Sequence, residues 1–527
     1  MQPPPTFGRL SWRRITRRAE GPRAGATAGR RATRHPRSTV TPEPPVVHTA
    51  AGAVRGIQRP GSATFLGIPF AQAPVGDLRF AAPVPPEPWP GIRDATAYGP
   101  TPQRGDAGIT LIPEPSVPGD ATLNVNVFTP SADAAAALPV LVWIHGGAFV
   151  SGAPASPWYD GASFARDGVV VVTISYRLGF DGFGHIDGAP GNRGVRDWLA
   201  ALEWVQENIA AFGGDPHRVT IGGQSAGGGA VLTLLGMPAA QHLFHAAWSV
   251  SAAIGDVPVD EARSRAERLA ALAGVTADRS GFASVDEETL HALQDRAAHA
   301  PSRDRLASVR EMLRNLAWGP MIDGELLTRL TVDSLAAGVG SDKPLLIGAA
   351  DDEFTMVTMR MQRMLRFVPT GIGLGMLGLR GQDRRAYLMA NPIERRRGTA
   401  GLLGRYVSDR VFRSLVARVL QARREAAAPT WAYRFSWASP VIGWACHCLD
   451  VPFWFDCLDA DRVTAITGDD PPRALADAMH GAAVRLVRDH TEDWEPWREP
   501  ERTTRVFDDP TPGPAVIRDG YASAALG

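Results

Sequence analysis

The chain reads as an α/β protein, with a central, mostly parallel sheet flanked by helices and helical insertions above it. Three observations predict this class. The runs at 139–144 (PVLVWI) and 169–176 (VVVVTISY) are near-continuous and rich in β-branched residues, which suits strands covered on both faces. A long helical pattern sits between such runs, with Leu199, Leu202, Val205 and Ile209 at helical spacing in residues 195–212. Strands that alternate with helices pair in parallel through crossovers.

Taken in order, structure is expected to begin near Pro45, after an Arg-rich disordered tail at 1–44. Residues 46–57 alternate and turn on Gly52 like a hairpin, which 63–70 continue before a Pro-rich loop through Pro100. The helix after 195 stops at Gly213-Gly214-Asp215-Pro216, since paired glycines and proline end helices. Further strands are expected at 218–221, 246–251, 344–347 and 430–437. Two insertions, 256–318 and 355–428, break the alternation and read as helical. The first carries a capping-box pattern at Ser284-Val285-Asp286-Glu287. The second carries Met356, Met359, Met361 and Met364, a stripe that reads as ordinary core or helix-packing surface, or as the lining of an adaptable apolar pocket. One domain over 45–515 and a tail at 516–527 complete the layout.

Composition narrows the function. The 527 residues are 44% hydrophobic and 21% charged, which excludes disordered, collagenous and disulfide-scaffold classes. Net charge is zero, yet residues 1–40 hold ten arginines and one acid, so the body is mildly acidic. An acidic body argues against nucleic acid as a partner. Three cysteines are too few for a disulfide framework and point to a reducing, cytoplasmic setting. No apolar run approaches the ~18–20 residues of a membrane span, and none follows the N-terminal arginine pairs as a secretory signal requires. The sequence assigns no oligomeric state.

Chemistry concentrates in 218–230 (RVTIGGQSAGGGA), which contains the G-x-S-x-G arrangement around Ser225. Chance supplies roughly 0.3 such matches in a chain this long, so the context decides. A β run precedes the serine and an apolar helical run, 231–235, follows it, as a nucleophile elbow requires. A serine hydroxyl needs a base to take its proton and donors for the oxyanion that forms. Strand 141–144 runs into His145-Gly146-Gly147-Ala148-Phe149, so the N–H groups of Gly147, Ala148 and Ala226 are the expected donors.

These pieces together resemble the type B carboxylesterases, the carboxylesterase/cholinesterase branch of the α/β-hydrolases. The resemblance extends through 65–80 (FLGIPFAQAPVGDLRF), Ser175-Tyr176-Arg177-Leu178-Gly179, Gly191-Asn192, 208–216 (NIAAFGGDP), 320–324 (PMIDG) and 497–508, over roughly 45–510. It implies an α/β-hydrolase fold, a serine hydrolase of carboxylic esters and a triad in the order Ser225, Glu353, His447. Glu353 stands in 346–353 (LIGAADDE), with Asp352 beside it as an alternative acid. His447 stands in 443–453 (GWACHCLDVPF). The resemblance also implies a buried Ser251 near the histidine and an ion pair of Arg79 with Asp120, where the family carries Glu. Gln224 replaces a more frequent Glu, Ala148 a glycine and Phe354 another glycine. No cofactor and no metal is expected, because Cys446, Cys448 and Cys457 around His447 cannot converge on one ion. The substrate expected is a small-molecule ester. Amides, carbamates, thioesters or long-chain esters handled by the same residues form the alternative, and a non-catalytic binding protein is the distant one.

Overall fold

A computed structural model describes residues 43–105, 111–299, 313, 316–508 and 515–526; the expected tail at 1–44 lies outside these apart from its last two residues. The first strands are β1 (Val46–Thr49), β2 (Gly52–Arg55), β3 (Ile57–Arg59), β4 (Ser62–Pro69), β5 (Ile92–Asp94), β6 (Asn124–Thr129), β7 (Leu138–Ile144) and β8 (Val170–Ile174). After them come β9 (Gly214–Gln224), β10 (Ala246–Val250), β11 (Val257–Pro258), β12 (Met321–Ile322), β13 (Leu345–Ala350), β14 (Thr430–Phe435), β15 (Thr503–Phe507) and β16 (Ala515–Arg518). Eleven strands form one sheet in the order β16-β15-β14-β13-β10-β9-β7-β8-β6-β4-β3. Pairing is parallel from β8 through β7, β9, β10, β13 and β14 to β15, and antiparallel at both margins.

The apolar runs explain that architecture. Along β7, Val140, Val142 and Ile144 enter one core while Leu141 and Trp143 enter another. Successive side chains of a strand face opposite ways, so an unbroken apolar run fills both faces. Trp143 meets Phe455, Trp248 and Tyr159 with ring centroids 4.8, 5.3 and 5.8 Å away. Full burial of a large apolar side chain contributes about 1.5–3 kcal/mol, which makes this central strand hard to displace.

Helices cover the sheet where the sequence alternates. Those of the sheet layers and of the two insertions include α1 (Arg193–Asn208), α2 (Ala226–Leu235), α3 (Val259–Ala273), α4 (Glu287–Ala298), α5 (Thr355–Met359), α6 (Gln362–Leu365) and α7 (Thr370–Met376). Next come α8 (Gly381–Ala390), α9 (Pro392–Arg396), α10 (Gly398–Ser408), α11 (Ser414–Ala422) and α12 (Arg473–Asp489), with a π-helical turn at Asp409–Arg413 between α10 and α11. A tighter turn extends α1 to Phe212, and Gly213 ends it at φ 85°, as expected. No described helix is long and apolar enough to cross a membrane.

Four expectations need correction. Residues 63–70 do not continue the N-terminal hairpin: β1 and β2 pair with β5 in a separate three-stranded sheet, while β4 joins β3 and β6. Both faces of β4 are buried, so it needs neighbours that a two-stranded ribbon lacks. The first insertion's helix is capped by Asp286, which accepts from the Thr289 N–H at 2.7 Å, rather than by Ser284. Ser284 instead closes the preceding turn, its hydroxyl donating to Gly281 O at 2.6 Å. The methionine stripe is core only in part: Met356 packs against it, whereas Met361 and Met364 are exposed. The expected tail at 516–527 is no loose tail over its described residues, 516–526: β16 pairs with β15, and the buried Tyr521 hydroxyl accepts from Ala349 N–H and donates to Tyr433 O.

Several matched motifs hold one another. The Asn192 side chain donates to Met321 O and Asp323 Oδ2 and accepts from Met321 N–H, all at 2.7 Å, joining 191–192 to 320–324. Arg177 forks onto the buried Asp197 at 2.6–2.9 Å, and the Tyr176 hydroxyl donates to His145 O at 2.9 Å. Buried side-chain bonds of this sort fix loops that backbone pairing leaves free.

Candidate active site

β9 passes into α2 at Ser225, whose backbone sits at φ 59°, ψ −123°. A non-glycine residue held there costs about 1–3 kcal/mol and persists only where its surroundings enforce it. Here Ser225 N–H donates to Val250 O at 2.9 Å, and its carbonyl accepts from Gly229 and Ala253 N–H at 2.9 and 3.0 Å. The glycines are needed for close approach: a Cβ on Gly227 would stand 2.0 Å from Ile144 O, and one on Gly223 2.5 Å from the Gly227 backbone. Gly227→Ala is therefore expected to destabilise the protein by about 1–3 kcal/mol or more, read as a lower urea midpoint; an unchanged midpoint would contradict the packing.

The structure brings Ser225, His447 and Glu353 into one hydrogen-bonded line. His447 Nε2 lies 3.0 Å from Ser225 Oγ, and Nδ1 lies 2.5 Å from Glu353 Oε2. Glu353 is fully buried, and its other oxygen accepts from Ala350 N–H at 2.9 Å. With Nδ1–H donating to the carboxylate, Nε2 keeps its lone pair toward the serine. The adjacent acids point elsewhere. Asp351 accepts from Arg413 at 2.6 Å, Arg434 at 2.6 and 2.8 Å and Ser436 at 2.7 Å. Asp352 faces Arg405 at 3.5 Å and accepts from Thr355 at 3.3 Å, and it makes no bond to His447.

Arg413 ties this acid loop to the second insertion. Besides Asp351, it donates at 2.8 Å to Asp409, which also accepts from the Tyr387 hydroxyl at 2.6 Å. Removing one partner of a buried ion pair leaves charge without compensation. Arg413→Met should therefore cost about 3–5 kcal/mol of stability, visible in chemical denaturation; a loss under ~1 kcal/mol would contradict the burial.

Electrostatics favour a histidine that holds a proton well. Burial disfavours the imidazolium of His447, but Cys448 and Glu353 outweigh it and raise its pKa well above 6.5. Burial also raises the Cys448 pKa, which favours its thiol form. Gln224 adds an amide, with Nε2 at 3.2 Å from both His447 Nε2 and Cys448 Sγ. The Phe412 and Phe354 rings pack on the imidazole with centroids at 4.6 and 5.4 Å.

The loop after β7 faces the same point. Gly147, Ala148 and Phe149 all have positive φ (105°, 54° and 62°), turning the backbone sharply past Ser225. Among the described residues, no acceptor takes the N–H of Gly147, Ala148 or Ala226. His145 stacks on Tyr176 at 4.4 Å, and burial lowers its pKa to about 4, so it stays neutral behind the loop.

Sequence reasoning missed Phe412 and the side-chain role of Gln224. Phe412 reaches His447 from a π-helical turn that no local pattern announces, and Gln224 meets His447 only once two segments 223 residues apart are packed together. The expected Arg79–Asp120 pair is absent: Arg79 binds Asp181 at 3.1 Å, and Asp120 is a methylene shorter than the Glu expected there. Ser251 is buried, and among the described residues its hydroxyl has no hydrogen-bond partner. All three cysteines are free and buried. Among the described residues, no group of three His, Cys, Asp or Glu is arranged to hold a metal ion.

The profile of the carboxylesterase family matches residues 43–369. The chain is 34% identical to the para-nitrobenzyl esterase of Bacillus subtilis (strain 168), over 88% of its own length and 94% of that protein. It is 33% identical to the phenmedipham hydrolase of Pseudarthrobacter oxydans, over 90% of itself and 97% of that protein. The crystal structure of a Geobacillus stearothermophilus carboxylesterase superposes with a TM-score of 0.74 at 34% identity, covering 91% of this chain and 98% of that one.

Proposed function

We propose, from the premise that this chain belongs to the carboxylesterase family of α/β-hydrolases and is a carboxylic ester hydrolase, that Ser225, His447 and Glu353 carry its chemistry. The observation behind this is the unbroken line from Ser225 Oγ through both nitrogens of His447 to Glu353. Ser225 Oγ attacks the ester carbonyl while His447 Nε2 takes its proton. The oxyanion is received by the untaken N–H groups of Gly147, Ala148 and Ala226. His447 then protonates the departing alcohol, leaving an acyl group on Ser225. A water, deprotonated by His447, releases the acid and restores the serine. Glu353 holds the imidazole in one tautomer and stabilises the imidazolium.

The acyl-enzyme is tested by partitioning. Esters sharing an acyl group but differing in alcohol, hydrolysed in the presence of added methanol, should give one ratio of methyl ester to acid. A ratio that changes with the leaving alcohol would mean direct attack by water and would contradict the serine route.

The pH profile tests the histidine. Only neutral His447 accepts the serine proton, so activity falls as pH drops through its pKa. Gln224→Glu would set a carboxylate where the amide now lies 3.2 Å from Nε2, stabilising the imidazolium. The acid limb of kcat/KM is expected to move up by about one pH unit; a shift downward would contradict this placement. We assign the substrate to small-molecule esters and the compartment to the cytoplasm, the latter because three buried cysteines remain as free thiols.

A further inference from the structure

The second insertion carries a surface that the catalytic reading leaves unused. Helices α6, α7 and α9 pack on α10, and α8 bridges α7 and α9, so together they form one layer over that mostly buried helix. On this layer Met361, Met364, Phe367, Ile372, Met389 and Ile393 are 42–81% exposed. Single exposed apolar residues are common, but such a density on one layer marks a contact surface.

The same layer is cationic. Residues 360–397 hold nine arginines against two acids, in a chain whose net charge is zero. Arg363, Arg366, Arg385, Arg395 and Arg396 are exposed, and the Arg366 guanidinium lies 4.4 Å over the Phe367 ring. One of the two acids does not offset them, because Glu394 turns inward to Arg405 at 3.2 Å. Interleaved arginines and exposed apolar side chains are the composition of a helix that lies in a lipid interface.

We propose that the outer face of α6–α9 is an adsorption surface for an anionic lipid interface. Apolar side chains enter the headgroup boundary while the arginines pair with lipid phosphates, each contributing to retention that salt weakens. Phosphates of nucleic acid would reward the arginines but leave Met389 and Ile393 in water. A two-fold contact between copies would bring the same arginines face to face. The layer leaves the sheet directly after Glu353, through α5, so adsorption would place the site beside a source of apolar ester. The inference stands on these surface residues and does not depend on the triad.

The test is co-flotation of the full chain with phosphatidylcholine vesicles, with and without phosphatidylglycerol, at low and high salt. Retention is expected on the phosphatidylglycerol vesicles, falling with salt. It should drop at least ~10-fold in F367S/M389S and in R363Q/R366Q, with hydrolysis of a water-soluble ester kept within about twofold as proof of folding. Four results would overturn the proposal. They are no retention by wild type, equal retention on neutral vesicles, retention unchanged in both variants (which would assign it to the Arg-rich N-terminus), and tighter binding of duplex DNA or dimerisation that the same variants abolish.

Discussion

Ser225→Ala is expected to lower kcat/KM for an activated ester by about four to six orders of magnitude while leaving the fold intact. Among the described residues Ser225 Oγ makes one hydrogen bond, to His447, and its removal opens no cavity larger than an oxygen. The backbone strain at φ 59° is enforced by bonds from Val250, Gly229 and Ala253 that alanine keeps. Stability should therefore change by less than ~1 kcal/mol. A variant that is folded and still within about tenfold of wild type would remove the serine from the mechanism.

The acid loop gives the second large effect. Glu353→Gln should cost roughly 10⁴-fold in kcat, because an amide cannot fix the tautomer that leaves Nε2 free. It also removes one of the charges that raise the His447 pKa, so whatever activity remains should have its acid limb at lower pH. Asp352→Asn should stay within about tenfold, since Asp352 faces Arg405 at 3.5 Å and not the imidazole. Steady-state kinetics of the two variants decide between the acids. The reverse ranking would give the role to Asp352.

Much of this was legible in the sequence, for local reasons. β7 and β8 announce themselves because strands buried on both faces must be apolar at every position. The elbow announces itself because only glycine tolerates the 2.0 Å approach at position 227. What was hidden depends on partners distant in the chain. β9 starts at Gly214, through Asp215-Pro216, because pairing with β7 begins at Leu138. β16 looks like a tail until β15 offers an edge. Arg79 was matched to the wrong acid because ion-pair choice follows three-dimensional reach, and Phe412 meets His447 through a turn of the insertion. The exposure of Met361 and Met364 was hidden for a related reason: helical spacing marks one face of a helix without saying whether that face is covered.

The central claim is an activated nucleophile at Ser225, and intact-mass spectrometry after incubation with a fluorophosphonate, followed by peptide mapping, tests it most directly. The account predicts one adduct per chain, on Ser225, formed readily in the wild type and slowed severely in His447→Ala. Folded protein that forms no adduct, or forms it on another residue, would contradict the account.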